Sequence, residues 1–323
     1  MRGGAATELA GVAQQSGERP ELLVLRALKL GDLLVAVPAL KALRRAFPEH
    51  RLRYAAQGWL SEALDLVGGY ELLPTQGLEE PLTLERGAVD VAVNLHGSGP
   101  QSQARVEALQ ARRTISHQSP SSAGPRWREE LHERERWARL LKWHGIEADP
   151  LDVQLGRPCV PSPVPGATVV HVGAAYGSRL WPTDRFAAVA AALYREGNNV
   201  VFTGSSGERR RAVDVCRTAG LPPEAVLAGQ LGLGEFAATI ADACLVISAD
   251  TGAAHLASAY ATPSVVLFGP APPEIWGPPP GPHVVLTRAE LRRGEIFADQ
   301  PDPALLAVGV QDVLGAARDL GRY

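Results

Sequence analysis

Apolar residues in this chain come as short runs ending near glycine, with longer periodic stretches between them. Residues 21–26 (ELLVLR) are one such run, followed by Leu30-Gly31-Asp32. Over 33–47, Leu33, Leu34, Val37, Leu40, Leu43 and Phe47 then fall on one helical face, and Pro48 closes the stretch. This predicts a strand, a tight turn made by Gly31, and a helix. Further strands are predicted over 51–56, 70–73 and 90–95, and helices over 61–67 and 101–111. Residues 114–128, rich in serine and proline, predict a loop. A charged helix is predicted over 129–144, with Leu131, Trp137, Leu140 and Leu141 as its apolar stripe.

Prolines and a glycine punctuate 150–165, and the same grammar then restarts. Strands are predicted over 168–172, 199–203, 225–227, 245–248 and 264–268. Helices are predicted over 183–196, 208–219, 233–243, 253–260 and 303–320. Seven prolines within 269–283 forbid regular structure there. Alternating strands and helices imply parallel, doubly wound sheets. The expected fold is α/β, with two Rossmann-like domains facing a cleft. The first spans 21–157 and the second 158–323, with the last helix free to pack back toward the first domain. Residues 1–20 lack an apolar signal core and read as a disordered extension.

Composition narrows the function. A chain of 323 residues, 46% hydrophobic and 21% charged, suits two domains with a large core. A net charge of −3 with both signs interspersed excludes the basic stripe of a nucleic-acid partner. Cys159, Cys216 and Cys244 are isolated, which suits free thiols in a reducing, cytoplasmic compartment. No apolar run reaches membrane-spanning length. The three lysines, Lys29, Lys41 and Lys142, stand among many arginines, which reads as coding bias. The chain contains no GxxxxGK[ST] loop, zinc-spaced cluster or DxD pair. A leaving anion would then be met by helix ends and cationic side chains without a metal.

Ligands of open α/β sheets sit beyond the carboxyl ends of strands, and several such loops carry candidate chemistry. In Ser248-Ala-Asp250-Thr251-Gly252-Ala-Ala-His255, a strand ends and a helix begins with its unsatisfied N–H groups facing the cleft, a natural site for a diphosphate. Asp250 and His255 can reach the same ligand; equally, Asp250 or Thr251 can cap the helix and His255 can be a core residue. Arg179 follows a glycine-containing loop and can pair with phosphate or lie in solvent. Asp32 can be a general base or a helix cap. Glu208 can hold ribose hydroxyls or complement its own helix start. Leu231 can touch a nucleobase or be buried, and His96 can line an acceptor side.

Three blocks carry a family resemblance: LLVLRALKLGDLLVAVPALKALRRAFP (22–48), VVHVGAAYGSRLWPTDRF (169–186) and ISADTGAAHLASAYATPSVVLFGPAPPEIWGP (247–278). In order and spacing the chain resembles glycosyltransferase family 9, the ADP-heptose:lipopolysaccharide heptosyltransferases, from about residue 21 to 315. The resemblance implies a GT-B fold and inverting, metal-independent transfer, with no cofactor beyond a nucleotide-diphosphate sugar such as ADP-heptose as co-substrate. It matches Asp32 to the catalytic base, and Asp250, Thr251, Gly252 and His255 to the donor-binding helix start. Glu208 and Leu231 fall near nucleoside contacts. Arg179 departs from the pattern, standing where the family has a lysine. The acceptor stays open among glycan, lipid-linked and small-molecule hydroxyls; a lipid-linked one would bring this expected monomer to the inner membrane face. A sugar-nucleotide epimerase and a non-catalytic nucleotide-sugar binder are the alternatives.

Overall fold

The computed structural model describes residues 19–321, so the expected extension lies almost wholly outside the described residues. The first lobe comprises β1 (Glu21–Leu25), α1 (Leu30–Ala46), β2 (Arg51–Ala56), α2 (Ser61–Val67), β3 (Glu71–Pro74), β4 (Val91–Asn94), α3 (Pro100–Glu107), β5 (Arg113–Ile115) and α4 (Glu133–Trp143). The second comprises β6 (Thr168–His171), α5 (Thr183–Arg195), β7 (Val200–Thr203), α6 (Arg209–Ala219), α7 (Leu233–Ala241), β8 (Leu245–Ala249), α8 (Gly252–Tyr260), β9 (Ser264–Leu267), α9 (Pro273–Trp276), β10 (His283–Leu286), α10 (Pro303–Leu306) and α11 (Val310–Leu320).

Each lobe has one five-stranded sheet, in the orders β3-β2-β1-β4-β5 and β10-β9-β8-β6-β7, and all pairings are parallel. Helices cover both faces, so central strands such as β4, β6 and β8 are buried along their whole length and read as continuous apolar runs. Strand order reverses between β1 and β4 in one sheet and between β6 and β8 in the other. At such switch points successive connections leave toward opposite faces and open a crevice.

The lobes meet where the N-terminal turns of α1 and α8 approach each other. An apolar cluster runs across that contact, from Leu33 and Val37 on α1 to Ala253 and Leu256 on α8. Two glycines permit it. A Cβ on Gly252 would lie 2.8 Å from Leu30 Cδ2, and one on Gly31 would lie 3.0 Å from His255 Cδ2. Helix α1 begins at Leu30, so Gly31 is inside its first turn and does not make the expected tight turn. Its role is lobe-to-lobe proximity.

Other departures from expectation have local causes. Helix α4 starts at Glu133, where His132 Nδ1 accepts the Arg134 N–H at 3.2 Å; Leu131 lies outside it and is half-buried. Strand β5 begins one residue before the span read as loop and buries only Ile115. The proline-rich segment, expected to be irregular, holds α9, which starts on Pro273 where no N–H is needed, and strand β10 begins at its last residue, His283, half-buried throughout. The expected strand over 225–227 reduces to one bridge, Phe202 with Val226. The helix over 303–320 breaks before Gly309 into α10 and α11. Helix α11 does not pack toward the first lobe: Val313, Leu314, Ala316 and Ala317 are buried in the second lobe's own core, beside Val189 and Val265.

Candidate functional site

The two switch points open onto one cavity of about 1010 Å³, walled by both lobes. The first lobe contributes Leu28 to Asp32 after β1, with Trp59 and Glu62. The second contributes Tyr176 and Arg179 after β6, Glu208 after β7, Leu231, and Asp250 to Ala253 after β8. Asp32, Arg179, Glu208, Leu231, Asp250, Thr251, Gly252 and His255 all lie on this wall. His96 does not belong to it.

Helix α8 begins with Thr251 as its N-cap in extended conformation, and no side chain caps it. Thr251 Oγ1 instead bonds Ser248 Oγ at 2.8 Å. Capping therefore does not explain Asp250 or Thr251, and the first N–H groups of α8 remain for a ligand. Asp250, 4% exposed, lies between Arg179 and His255. Its Oδ2 lies 3.0 Å from Arg179 Nη1 and its Oδ1 lies 3.6 Å from His255 Nε2. Arg179 Nη1 also donates to the Asp250 carbonyl oxygen at 3.2 Å. Arg179 Nε is buried and makes no hydrogen bond among the described residues. Asp250 Oδ2 likewise makes no hydrogen bond among the described residues, so the two side chains attract by charge rather than through an aligned hydrogen bond.

Across the cavity, Asp32 sits in the first turn of α1, and its Oδ2 accepts the Lys29 N–H at 3.2 Å. Capping is thus real, but the side chain keeps 27% of its surface exposed. Behind it lies a buried charge chain absent from the sequence expectations. Arg26, 1% exposed, donates from Nε to the Asp32 carbonyl oxygen at 2.6 Å and from Nη1 to that of Leu95. Its Nη2 lies 3.6 Å from Asp32 Oδ1 and donates to Glu133 Oε1 at 3.1 Å. Glu133 in turn pairs with Arg136. Arg136 donates to the carbonyl oxygens of Arg128, Glu129 and Leu131, each at 3.0 Å. One sequence signal existed: an arginine ending an apolar strand and followed by Ala27-Leu28 has no solvent-facing reason to be there.

The same end of α4 ties the lobes together. His132 Nε2 and Arg134 Nη1 each lie 3.0 Å from the Gly277 carbonyl oxygen of the second lobe. Glu62 accepts the Gly234 N–H near the other end of the cavity. Lys29 and Tyr176 were also missed as candidates. The Lys29 ammonium stands 4.7 Å from the centre of the Tyr176 ring, and Phe297 meets that ring edge-on at 4.9 Å.

Glu208 caps its own turn: Oε2 accepts Ser205 N–H at 2.6 Å and Ser205 Oγ–H at 2.8 Å. It also borders the cavity, so the two readings of this residue coexist. Beside it, His171 Nδ1 and Thr203 Oγ1 are 3.1 Å apart, and burial lowers the imidazole pKa against the opposing charge of Glu208.

His96 lies at the end of β4 with Nδ1 buried and unpartnered among the described residues. Burial, helped by Arg26, pushes its pKa down to about 4. Burial first, and then arginine neighbours, bring His117 and His132 to about 4 as well. Unfolded histidines titrate near 6.5, so between about pH 6.5 and 4 the unfolded chain binds more protons. Stability is therefore expected to fall as pH drops through that window, with the urea midpoint at pH 4.5 below that at pH 7.5. An equal or higher midpoint at pH 4.5 contradicts buried neutral imidazoles.

Residues 156–296 match the model of glycosyltransferase family 9 (heptosyltransferase). Lipopolysaccharide heptosyltransferase 3 of Escherichia coli is 33% identical over 102 residues, which cover 31% of this chain and 30% of that relative. The match thus spans under a third of the curated relative's length. A family 9 glycosyltransferase from Veillonella parvula superposes with a TM-score of 0.74 at 20% identity, over 94% of this chain and 98% of that one. An Escherichia coli heptosyltransferase solved with ADP gives 0.68 at 16%, over 93% and 99%. At these identities the structural likeness is one of fold, and that fold is GT-B.

Proposed function

We propose that the chain is a glycosyltransferase of family 9, whose model matches residues 156–296, and that it moves a sugar from a nucleoside-diphosphate sugar to an acceptor hydroxyl, with inversion and without a metal. The observation carrying this reading is the opposition, across one cavity, of the Asp32 carboxylate and the uncapped tip of α8 with its Arg179–Asp250–His255 group. The names of the relatives and the ADP held by a structural neighbour support ADP-heptose as the donor. The acceptor belongs to a glycan, a lipid-linked saccharide or a small molecule.

In this mechanism Asp32 takes the proton of the acceptor hydroxyl. The hydroxyl oxygen of the acceptor bonds to the anomeric carbon from one face as the bond to the diphosphate oxygen breaks on the other. The nucleoside diphosphate leaves with its charge toward the α8 N–H groups and Arg179, which stabilise it as it develops. Among the described residues, no group of three His, Cys, Asp or Glu can hold a metal ion; in this proposal helix dipole and cations carry that task. Glu208 and Leu231 contact the nucleoside; His96, outside the cavity wall, takes no part in this mechanism. Among the described residues no helix is long and apolar enough to cross a membrane. The enzyme works as a cytoplasmic monomer, at the inner membrane face where the acceptor is lipid-linked.

Thermal unfolding with ADP, GDP and UDP tests the donor half directly. A ligand that binds only the folded state at 100 times its Kd adds about 2.7 kcal/mol of stability. ADP is expected to raise the Tm more than GDP or UDP, and ADP-heptose with a heptose-accepting saccharide to yield product that persists in EDTA. No shift with any of the three diphosphates would overturn the proposal.

A further inference from the structure

We propose that Lys29 is a second diphosphate-binding cation, supplied by the first lobe to a donor otherwise held by the second. This rests on reading the cavity as a nucleotide-sugar site. Four carboxylates, Asp32, Glu62, Glu208 and Asp250, line that cavity, against two permanent cations, Lys29 and Arg179. A diphosphate entering such a wall meets repulsion unless a cation stands free. Arg179 is already shared with Asp250, at 3.0 Å. Lys29 makes no ion pair among the described residues, and its ammonium stands over the face of Tyr176. The other two lysines are committed to carboxylates, Lys41 to Asp152 at 2.6 Å and Lys142 to Glu147 at 3.9 Å.

The placement of Lys29 suits this task. Tyr176 lies three residues before Arg179 on the loop after β6, and Phe297 backs its ring. The ring face therefore parks the ammonium beside the loop that carries the other cation. A ring is a weak partner for an ammonium, and an arriving phosphate oxygen displaces it readily. The arginine fork then grips one phosphate group while the lysine meets the other as a point charge. Because Lys29 precedes α1 in the first lobe and Arg179 belongs to the second, the diphosphate itself bridges the lobes and holds them closed around the sugar.

Calorimetric titration of the full chain with ADP, AMP and adenosine tests this, using Lys29→Ala and Lys29→Arg. Only the Lys29 backbone N–H contacts Asp32, so these changes leave that bond in place. Lys29→Ala is expected to weaken ADP about tenfold, or about 1.4 kcal/mol. AMP should lose less, adenosine should be unchanged, and Lys29→Arg should recover most of the loss. Equal ADP affinity in wild type and Lys29→Ala overturns the proposal, as does an equal loss for ADP and adenosine. If wild type binds none of ADP, GDP and UDP, the nucleotide-sugar reading itself fails and takes the proposal with it.

Discussion

Asp32→Asn is expected to lower sugar transfer by about 10²- to 10⁴-fold, the range for losing a positioned base. Nucleotide affinity should be nearly unchanged, because the substitution touches nothing on the second lobe's wall. The amide has almost the shape of the carboxylate, and its oxygen can still accept the Lys29 N–H that Asp32 accepts at 3.2 Å. What it loses is the ability to take a proton. Product formation followed by chromatography, with ADP affinity by calorimetry on the same preparation, separates chemistry from binding. Turnover equal to wild type would remove Asp32 from the base role. A parallel loss of ADP affinity would assign it to binding.

Arg26→Met is expected to destabilise the first lobe by about 3–5 kcal/mol, the cost of removing one partner from a buried ion pair. Its loss leaves Glu133, with 5% of its side chain exposed, against Arg136 alone, and strips the Asp32 and Leu95 carbonyl oxygens of their donor. The Arg136 contact that remains puts the effect toward the lower end of that range. Trp137, whose ring centre lies 5.0 Å from the guanidinium, reports local unfolding in urea by fluorescence. Adding Glu133→Leu should deepen the loss, since it leaves the buried Arg136 guanidinium without its carboxylate partner. A single variant within about 0.5 kcal/mol of wild type, the range of ordinary surface substitutions, would show that the charge chain is not structurally important.

The fold was legible where burial is two-sided or periodic. The run 21–26 and the face from Leu33 to Phe47 correspond to β1 and α1 because a central parallel strand is apolar throughout and its helix apolar on one side. Legibility failed at the edges. Strand β5 has three residues, and β10 lies half-buried behind seven prolines, so neither shows a pattern to read. Candidates close in sequence emerged together: Asp250, Thr251, Gly252 and His255 share one strand-to-helix junction. The charge chain stayed hidden because Arg26 and Glu133 are 107 positions apart and meet only once the sheet is built. Gly31 was misread for a related reason: the neighbour that requires a glycine there, His255, belongs to the other lobe. Lys29 passed as coding bias, since nothing in its local sequence shows that Tyr176 waits across the cleft.

A crystal structure of the wild-type chain with ADP bears most directly on the central claim that both lobes act on one sugar carbon. The account expects the diphosphate at the backbone N–H groups of Gly252 and Ala253, with Arg179 on one phosphate group and the Asp32 carboxylate facing the terminal phosphate across the cavity. ADP bound away from the start of α8, or Asp32 turned out of the cavity with ADP in place, would contradict it.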